Sequence, residues 1–140
     1  MRIVVTGFRY WRNRDRIWSA LADWDWISGH RLAVAVGDCE TGADLFTRQW
    51  VRHAGRQDLC QVFRAGRGDP DDQLPNMVAS SWDRDGKFAG PKRNQAMIDM
   101  WHPLVVLAFL HPDSKGAKGC AEYARLKGIQ VIDFWEPKES

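Results

Sequence analysis

Short runs of β-branched and apolar residues alternate along the chain with stretches in which apolar positions recur every three to four residues. Residues 2–6 (R-I-V-V-T) form such a run and stop at Gly7, which predicts a first strand. Asn13 is placed to cap a helix over about residues 14–26, with Ile17, Trp18, Leu21 and Ala22 on one face. Residues 31–36 (R-L-A-V-A-V) predict a second strand closed by Gly37. Thr41 or Gly42 then opens a helix to about His53, carrying Leu45, Phe46 and Trp50, and residues 60–64 predict a short third strand. Pro91 suits the first turn of a helix over 92–101. Residues 104–110 are apolar throughout, as strands buried on both faces are. A polar loop, a helix to Lys127, a turn at Gly128 and a last strand over 129–134 complete the pattern. Residues 65–89 are rich in Gly, Asp, Pro and Ser without a steady period, and predict a long loop of the kind that carries function or moves.

About five strands alternating with four helices imply parallel pairing through right-handed crossovers. The expected fold class is α/β, a three-layer Rossmann-like sandwich around a mostly parallel central sheet. The 140 residues suit one domain, 1–140. Ligands of such folds bind beyond the carboxyl ends of the strands, where the strand order reverses. The loops after the first, second and fourth of these strands therefore hold the candidate chemistry.

Composition narrows the function classes. Hydrophobic residues make up 44% and charged residues 27%, a globular and not a disordered balance. The apolar run 104–110 falls far short of the ~20 residues of a membrane span, and residues 1–7 read as a short strand and not as a signal peptide. The expectation is a soluble, cytoplasmic protein without a membrane partner. Twenty basic against eighteen acidic side chains leave +2, too balanced to favour nucleic acid as a partner. Cys39, Cys60 and Cys120 form no C-x-x-C pair and read as free buried thiols. The four histidines have no metal-ligand spacing either, so no metal and no cofactor is expected.

Gly7 and Arg9 follow the first strand, where glycine admits a ligand to the backbone and arginine can fork onto an anion. Gly37-Asp38-Cys39-Glu40-Thr41-Gly42-Ala43-Asp44 follows the second. Gly37 and Gly42 suit a loop of inward-pointing amides, while Asp44 suits a ribose hydroxyl or a base edge better than a phosphate. The alternative for Asp44 is a favourable first-turn charge on its helix. In the long connection Trp82 precedes Lys87, and Gly90 is followed by Lys92, Arg93 and Asn94, so that Lys87, Lys92, Arg93 and Asn94 gather around a helix N-terminus. Cations beside a helix N-terminus are disfavoured unless something negative binds there; the alternative is a solvated basic loop. Ser114, Lys115 and Gly116 form a second glycine-containing helix entry. Neither the G-x-x-x-x-G-K-[ST] nor the G-x-G-x-x-G nor the G-x-S-x-G signature occurs.

The series T-G-F-R-Y-W, G-D-C-E-T-G-A-D, W-D-R-D-G-K-F-A-G-P-K-R-N-Q-A-M and H-P-D-S-K-G-A resembles the YspA-like family of the SLOG superfamily (Smf/DprA and the Lonely Guy phosphoribohydrolases). The resemblance runs from Met1 to about Phe134. It implies a Rossmann-like domain for nucleotides or nucleotide-derived ligands such as ADP-ribose, in a bacterial or phage setting, and a homo-oligomer. The chain departs from the family's usual T-G-S-R and S-K-G-T at Phe8 and Ala117, each of which removes a hydroxyl donor. The catalytic Arg/Glu arrangement of the Lonely Guy enzymes does not map onto this chain.

Three functions follow. The first is a binding module, sensor or sequestering protein, for a nucleotide-like small molecule. The second is a hydrolase of an N-glycosidic or phosphoribosyl bond, with Asp44 and Glu122 as the candidate catalytic carboxylates. The third, disfavoured by the charge, is single-stranded nucleic-acid binding through stacking tryptophans. Of the eight tryptophans, Trp18 and Trp50 are expected in the core. Trp24, Trp26 and Trp101 are expected at an interface, and Trp11 and Trp82 beside the site.

Overall fold

The computed structural model describes residues 1–66 and 74–136. Its elements are β1 (Arg2–Gly7), α1 (Arg14–Ile27), β2 (Ala33–Gly37), α2 (Gly42–His53), β3 (Cys60–Ala65), β4 (Asn76–Ser80), α3 (Trp82–Asp85), α4 (Ala89–Trp101), β5 (Val105–Leu110), α5 (Lys115–Leu126) and β6 (Gln130–Trp135). All six strands pair in parallel, in the order β4-β3-β2-β1-β5-β6. The expected three-layer α/β sandwich is the fold. Among the described residues no helix is long and apolar enough to cross a membrane.

Side chains on β1 alternate between the two layers, as the period of two demands. Ile3 and Val5 pack with Ile17 and Leu21 of α1 and Trp50 and Val51 of α2. Val4 packs on the other face with Met97 and Ile98 of α4 and Cys120 and Ala124 of α5. β5 is buried at every position, matching its unbroken apolar sequence. The chain moves outward from β1 to β4 on one side and then restarts at β5 on the other. Because βαβ crossovers keep a right hand, that reversal sends α4 and α5 to the face opposite α1 and α2. A crevice opens at the carboxyl ends of β1 and β5.

Helix starts follow local chemistry. The Asn13 side chain accepts the Arg16 amide at 3.1 Å, and Thr41 stands at the N-cap of α2 in extended conformation. Pro91 lies in the first turn of α4, where its missing amide costs no helical bond. The predicted long loop over 65–89 is corrected: β4, α3 and a 3-10 turn at Gly86–Phe88 occupy its second half, and α4 starts at Ala89. The strand N-M-V-A-S is a one-sided edge with few β-branched residues, so its sequence carries little strand signal. Residues 67–73 of that stretch lie outside the described residues. Trp11, expected beside the site, is buried in the core and donates through Nε1 to the Asn13 carbonyl at 2.8 Å.

Asp25 anchors the end of the sandwich away from the crevice. Its carboxylate receives Arg56 Nε and Nη2 at 3.1 and 3.0 Å, the Leu32 amide at 3.3 Å and His30 Nδ1 at 3.1 Å. Burial alone would raise the Asp25 pKa, but hydrogen bonds from Arg56, His30 and the Leu32 amide together hold it below the ordinary 3.8. A lowered acid pKa supplies stability that is present above the unfolded value and lost as pH falls through the folded one. Asp25→Ala, which strands the Arg56 guanidinium, is expected to lower unfolding free energy by about 3–5 kcal/mol at pH 7. Denaturant titrations of both proteins should show the gap narrowing as pH falls below 3.8.

Candidate functional site

The crevice at the ends of β1, β2 and β5 holds a cavity of about 490 Å³. Its floor depends on two glycines that have no space for a side chain. A Cβ on Gly7 would stand 2.4 Å from Ala43 Cβ and 2.9 Å from the Phe109 carbonyl oxygen; one on Gly42 would stand 2.4 Å from the Arg9 carbonyl oxygen. Gly42 also has φ +66°, which side-chain-bearing residues rarely adopt. These approaches let the loop after β1 lie against both β5 and α2. The Phe8 amide donates to the Phe109 carbonyl at 2.8 Å, the Ala43 amide to the Phe8 carbonyl at 3.2 Å, and Thr41 Oγ1 to the Arg9 carbonyl at 2.6 Å.

Arg93 projects from α4 and is clamped on two sides. Its Nη1 donates to Asp38 Oδ1 at 2.7 Å and its Nε to Asn94 Oδ1 at 2.7 Å, and its side chain is only 14% exposed. Asn94 Nδ2 reaches the Gly116 carbonyl at 3.4 Å, which ties α4 to α5. Gly37 lies beneath this group: a Cβ there would meet Asp44 Oδ2 at 2.6 Å and Arg93 Nη1 at 2.7 Å.

Asp44 is buried at the start of α2 and lines the cavity, with Oδ2 accepting the Cys39 amide at 3.2 Å. Arg48, one turn further on, is also buried and donates to the Gly37 carbonyl at 2.9 Å and the Cys39 carbonyl at 2.8 Å. Burial raises the Asp44 pKa, and the positive charges of Arg93 and Arg48 oppose that rise without cancelling it.

Three helix N-termini face the cavity: α2 through Asp44, α4 through Gly90 and Pro91, and α5 through Ser114 to Ala117. The first turns of α4 and α5 hold no acidic residue and neither helix is capped by a side chain. The Ser114 hydroxyl instead donates to the His111 carbonyl at 2.6 Å and accepts the His111 amide at 2.9 Å. The Lys115 amide donates to the Asp113 carbonyl and the Lys118 amide to the Ser114 carbonyl, each at 3.1 Å, which leaves the Gly116 and Ala117 amides of the first turn to face the cavity. Phe8 stacks on His111 with centroids 4.4 Å apart, joining the loops after β1 and β5.

Most of the residues singled out from sequence meet here. Gly7, Arg9, Gly37 and Asp44 line one side of the cavity, Gly90, Arg93 and Asn94 another, and Ser114, Lys115 and Gly116 a third, with Trp82 at the mouth. Gly42 backs the floor without lining it. Lys87 does not line the cavity and stands 5.4 Å over the Phe88 ring. Lys92 is turned aside by Asp85 at 2.8 Å, so the basic group at α4 delivers one arginine to the cleft. Glu122 is exposed on α5 and does not line the cavity. It lies eight positions beyond Ser114, roughly 12 Å down the helix axis, and is dropped as a catalytic candidate.

Tyr10, Cys39 and Met97 also line the cavity and were not among the sequence candidates. Met97 carries the signal of an ordinary core position. Cys39 corrects the expectation of three buried thiols, being half-buried. Burial pushes the Cys60 and Cys120 thiols up to about 12 and about 11, so these two stay protonated. Among the described residues no group of three or more His, Cys, Asp or Glu side chains could hold a metal ion.

A raised acid pKa reverses the usual dependence. The folded state binds the Asp44 proton more tightly, so Asp44 favours folding most at low pH and loses that contribution as pH rises through its folded pKa. Asp44→Asn, neutral at every pH, is expected to gain Tm relative to the parent as pH rises from 4 to 8. Thermal melts across that range check it, and a constant difference would contradict the burial of an ionising carboxyl.

The sequence matches no protein-family model. No solved structure matches it either. It is 33% identical to the Gene 61 protein of Mycobacterium phage D29 over 133 residues, 95% of each chain. At that identity and coverage the chain belongs to the family of the mycobacteriophage Gene 61 protein.

Proposed function

We propose that the cleft binds a nucleotide or nucleotide-derived small molecule, and that the protein serves a phage or its bacterial host as a sensor or sequestering module. One observation carries this reading: the acid-free first turn of α5, whose hydroxyl cap residue is turned to His111, converges with the clamped Arg93 on one cavity at the strand-order reversal. Free amides and an oriented guanidinium suit a phosphate. Trp82, 55% exposed at the mouth, offers a flat apolar face to a base. The resemblance of the four loops to the YspA-like pattern supports the same ligand class.

A second reading, hydrolysis of an N-glycosidic or phosphoribosyl bond, rests on Asp44. A buried carboxyl with a raised pKa facing a cavity holds its proton to higher pH than a free one and can pass it to a leaving group.

Mass spectrometry of small molecules released on denaturing the purified protein tests the first reading directly, through recovery of an intact nucleotide. Calorimetry with that nucleotide should then show Arg93→Ala losing about 1.5–3 kcal/mol of binding, the range for a charged hydrogen bond. Melting curves must accompany it, because the same change strands Asp38. Asp44→Asn separates the two readings. Modestly weaker binding with no turnover in the parent supports recognition; retained binding with turnover lowered by orders of magnitude supports the hydrolase.

A further inference from the structure

Asp44 stands apart from the charge pairing of the cleft. Asp38 is paired with Arg93 at 2.7 Å, whereas Asp44 has an arginine on either side and, among the described residues, an ion pair with neither. Arg48, one turn along α2, gives Nη1 and Nη2 to the Gly37 and Cys39 carbonyls. Arg93 of α4 gives Nη1 to Asp38 and Nε to Asn94, although the Cβ position of Gly37 lies 2.7 Å from that Nη1 and 2.6 Å from Asp44 Oδ2. Asp44 is 7% exposed and receives one hydrogen bond, from the Cys39 amide to Oδ2. Among the described residues Oδ1 has no partner and is left to the cavity that Asp44 lines.

The remaining charged and titratable groups around the cavity leave Asp44 unneutralised. Asp38 adds like charge from the loop after β2, and Cys120 of α5 faces Asp44 as a protonated thiol. Cys39 is half-buried beside it. Asp113 is the other carboxylate on the cavity; its side chain is 75% exposed, where water screens it, and stands 3.7 Å from His111 Nδ1. Arg9 and Lys115 line the cavity from exposed positions.

An ionised Asp44 repels an anion that Arg93 and the α5 amides attract. A protonated Asp44 reverses this, because the hydroxyl at Oδ1 becomes a donor inside the cavity. Burial already favours that proton. We infer that the cleft takes up its anionic ligand together with one proton from solvent, carried on Asp44 Oδ1 and donated in a hydrogen bond to an oxygen of the bound anion. The inference rests on the phosphate reading of the cavity and adds what regulates it. Affinity is full below the Asp44 pKa of the free protein and falls with rising pH until the pKa of the complex is passed.

Inorganic sulfate tests this, because it gains no proton of its own over the range used. Calorimetry on the full chain from pH 5 to pH 8 is expected to show sulfate affinity falling about ten-fold, the equivalent of a one-unit rise in the Asp44 pKa on binding. Titrations in two buffers of different ionisation heat should count a net proton uptake with each anion. Asp44→Asn keeps the side-chain shape and has no proton to gain. It should lose most of the uptake and of the pH dependence, and what remains reports the histidines. Sulfate binding without proton uptake at any pH in the parent would overturn the inference and leave the anion site standing. Uptake that survives undiminished in Asp44→Asn would place the proton elsewhere and equally overturn it. Failure of sulfate to bind even at pH 5 would overturn the phosphate reading itself.

Discussion

β1 is paired in parallel with β2 on one side and with β5 on the other, and its carboxyl end must therefore hand the chain into a loop that touches both halves of the molecule. That constraint explains why Gly7 and Gly42 bear no side chain. With a Cβ at either position, the Phe8–Arg9 backbone could not reach Phe109 and Ala43 together. This one loop is drawn inward against β5 and α2, and it forms one wall of the cavity. Phe8 reinforces the arrangement. Where a serine would offer a hydroxyl to the cleft, its ring stacks on His111 and locks the two loops that define the reversal.

The electrostatics of the cleft are arranged in opposed pairs. Arg48 and Arg93 face Asp44 and Asp38 around Gly37, and the glycine is what lets four charged groups pack so closely. Neither arginine is free to relax, since Arg48 is spent on two loop carbonyls and Arg93 on Asp38 and Asn94. Fixed groups of this kind interact with a ligand without first reorganising, which is the physical basis of preorganised recognition. Asp44 bears the cost of the arrangement, because burial disfavours its charge more than the two arginines favour it.

The apolar end and the polar end of the sheet divide the work. At the amino ends of the strands, Asp25 links α1, the start of β2 and the turn after α2 through Arg56. At the carboxyl ends, packing gives way to loops whose backbone amides and charged side chains point into open space. The cleft's charged groups serve both purposes, since Arg48 and Arg93 hold the loop after β2 while Arg93 lines the cavity.

Local chemistry was enough to predict most of the scaffold. The β-branched runs of β1 and β2, the unbroken apolar run of β5, the Asn13 cap and the Thr41–Gly42 helix start each act over a few residues, and each element stands within a few residues of where its pattern puts it. The positions of the glycine-bearing loops followed, because an alternating α/β chain places them at one end of the sheet. Pairings across long separations were not legible. Asp38 lies 55 positions from Arg93, and Lys92 looked as available as Arg93 until Asp85 claimed it. β4 was invisible because an edge strand held by one neighbour needs neither strong propensity nor an apolar face. Glu122 was misplaced because helix rotation and rise, not residue type, decide which side chains reach a cleft. The sequence by itself determined which segments are strands and helices, through propensity and period. Only the tertiary structure decided which charges meet, because a salt bridge depends on where two distant backbones bring their side chains and on how little water is left between them.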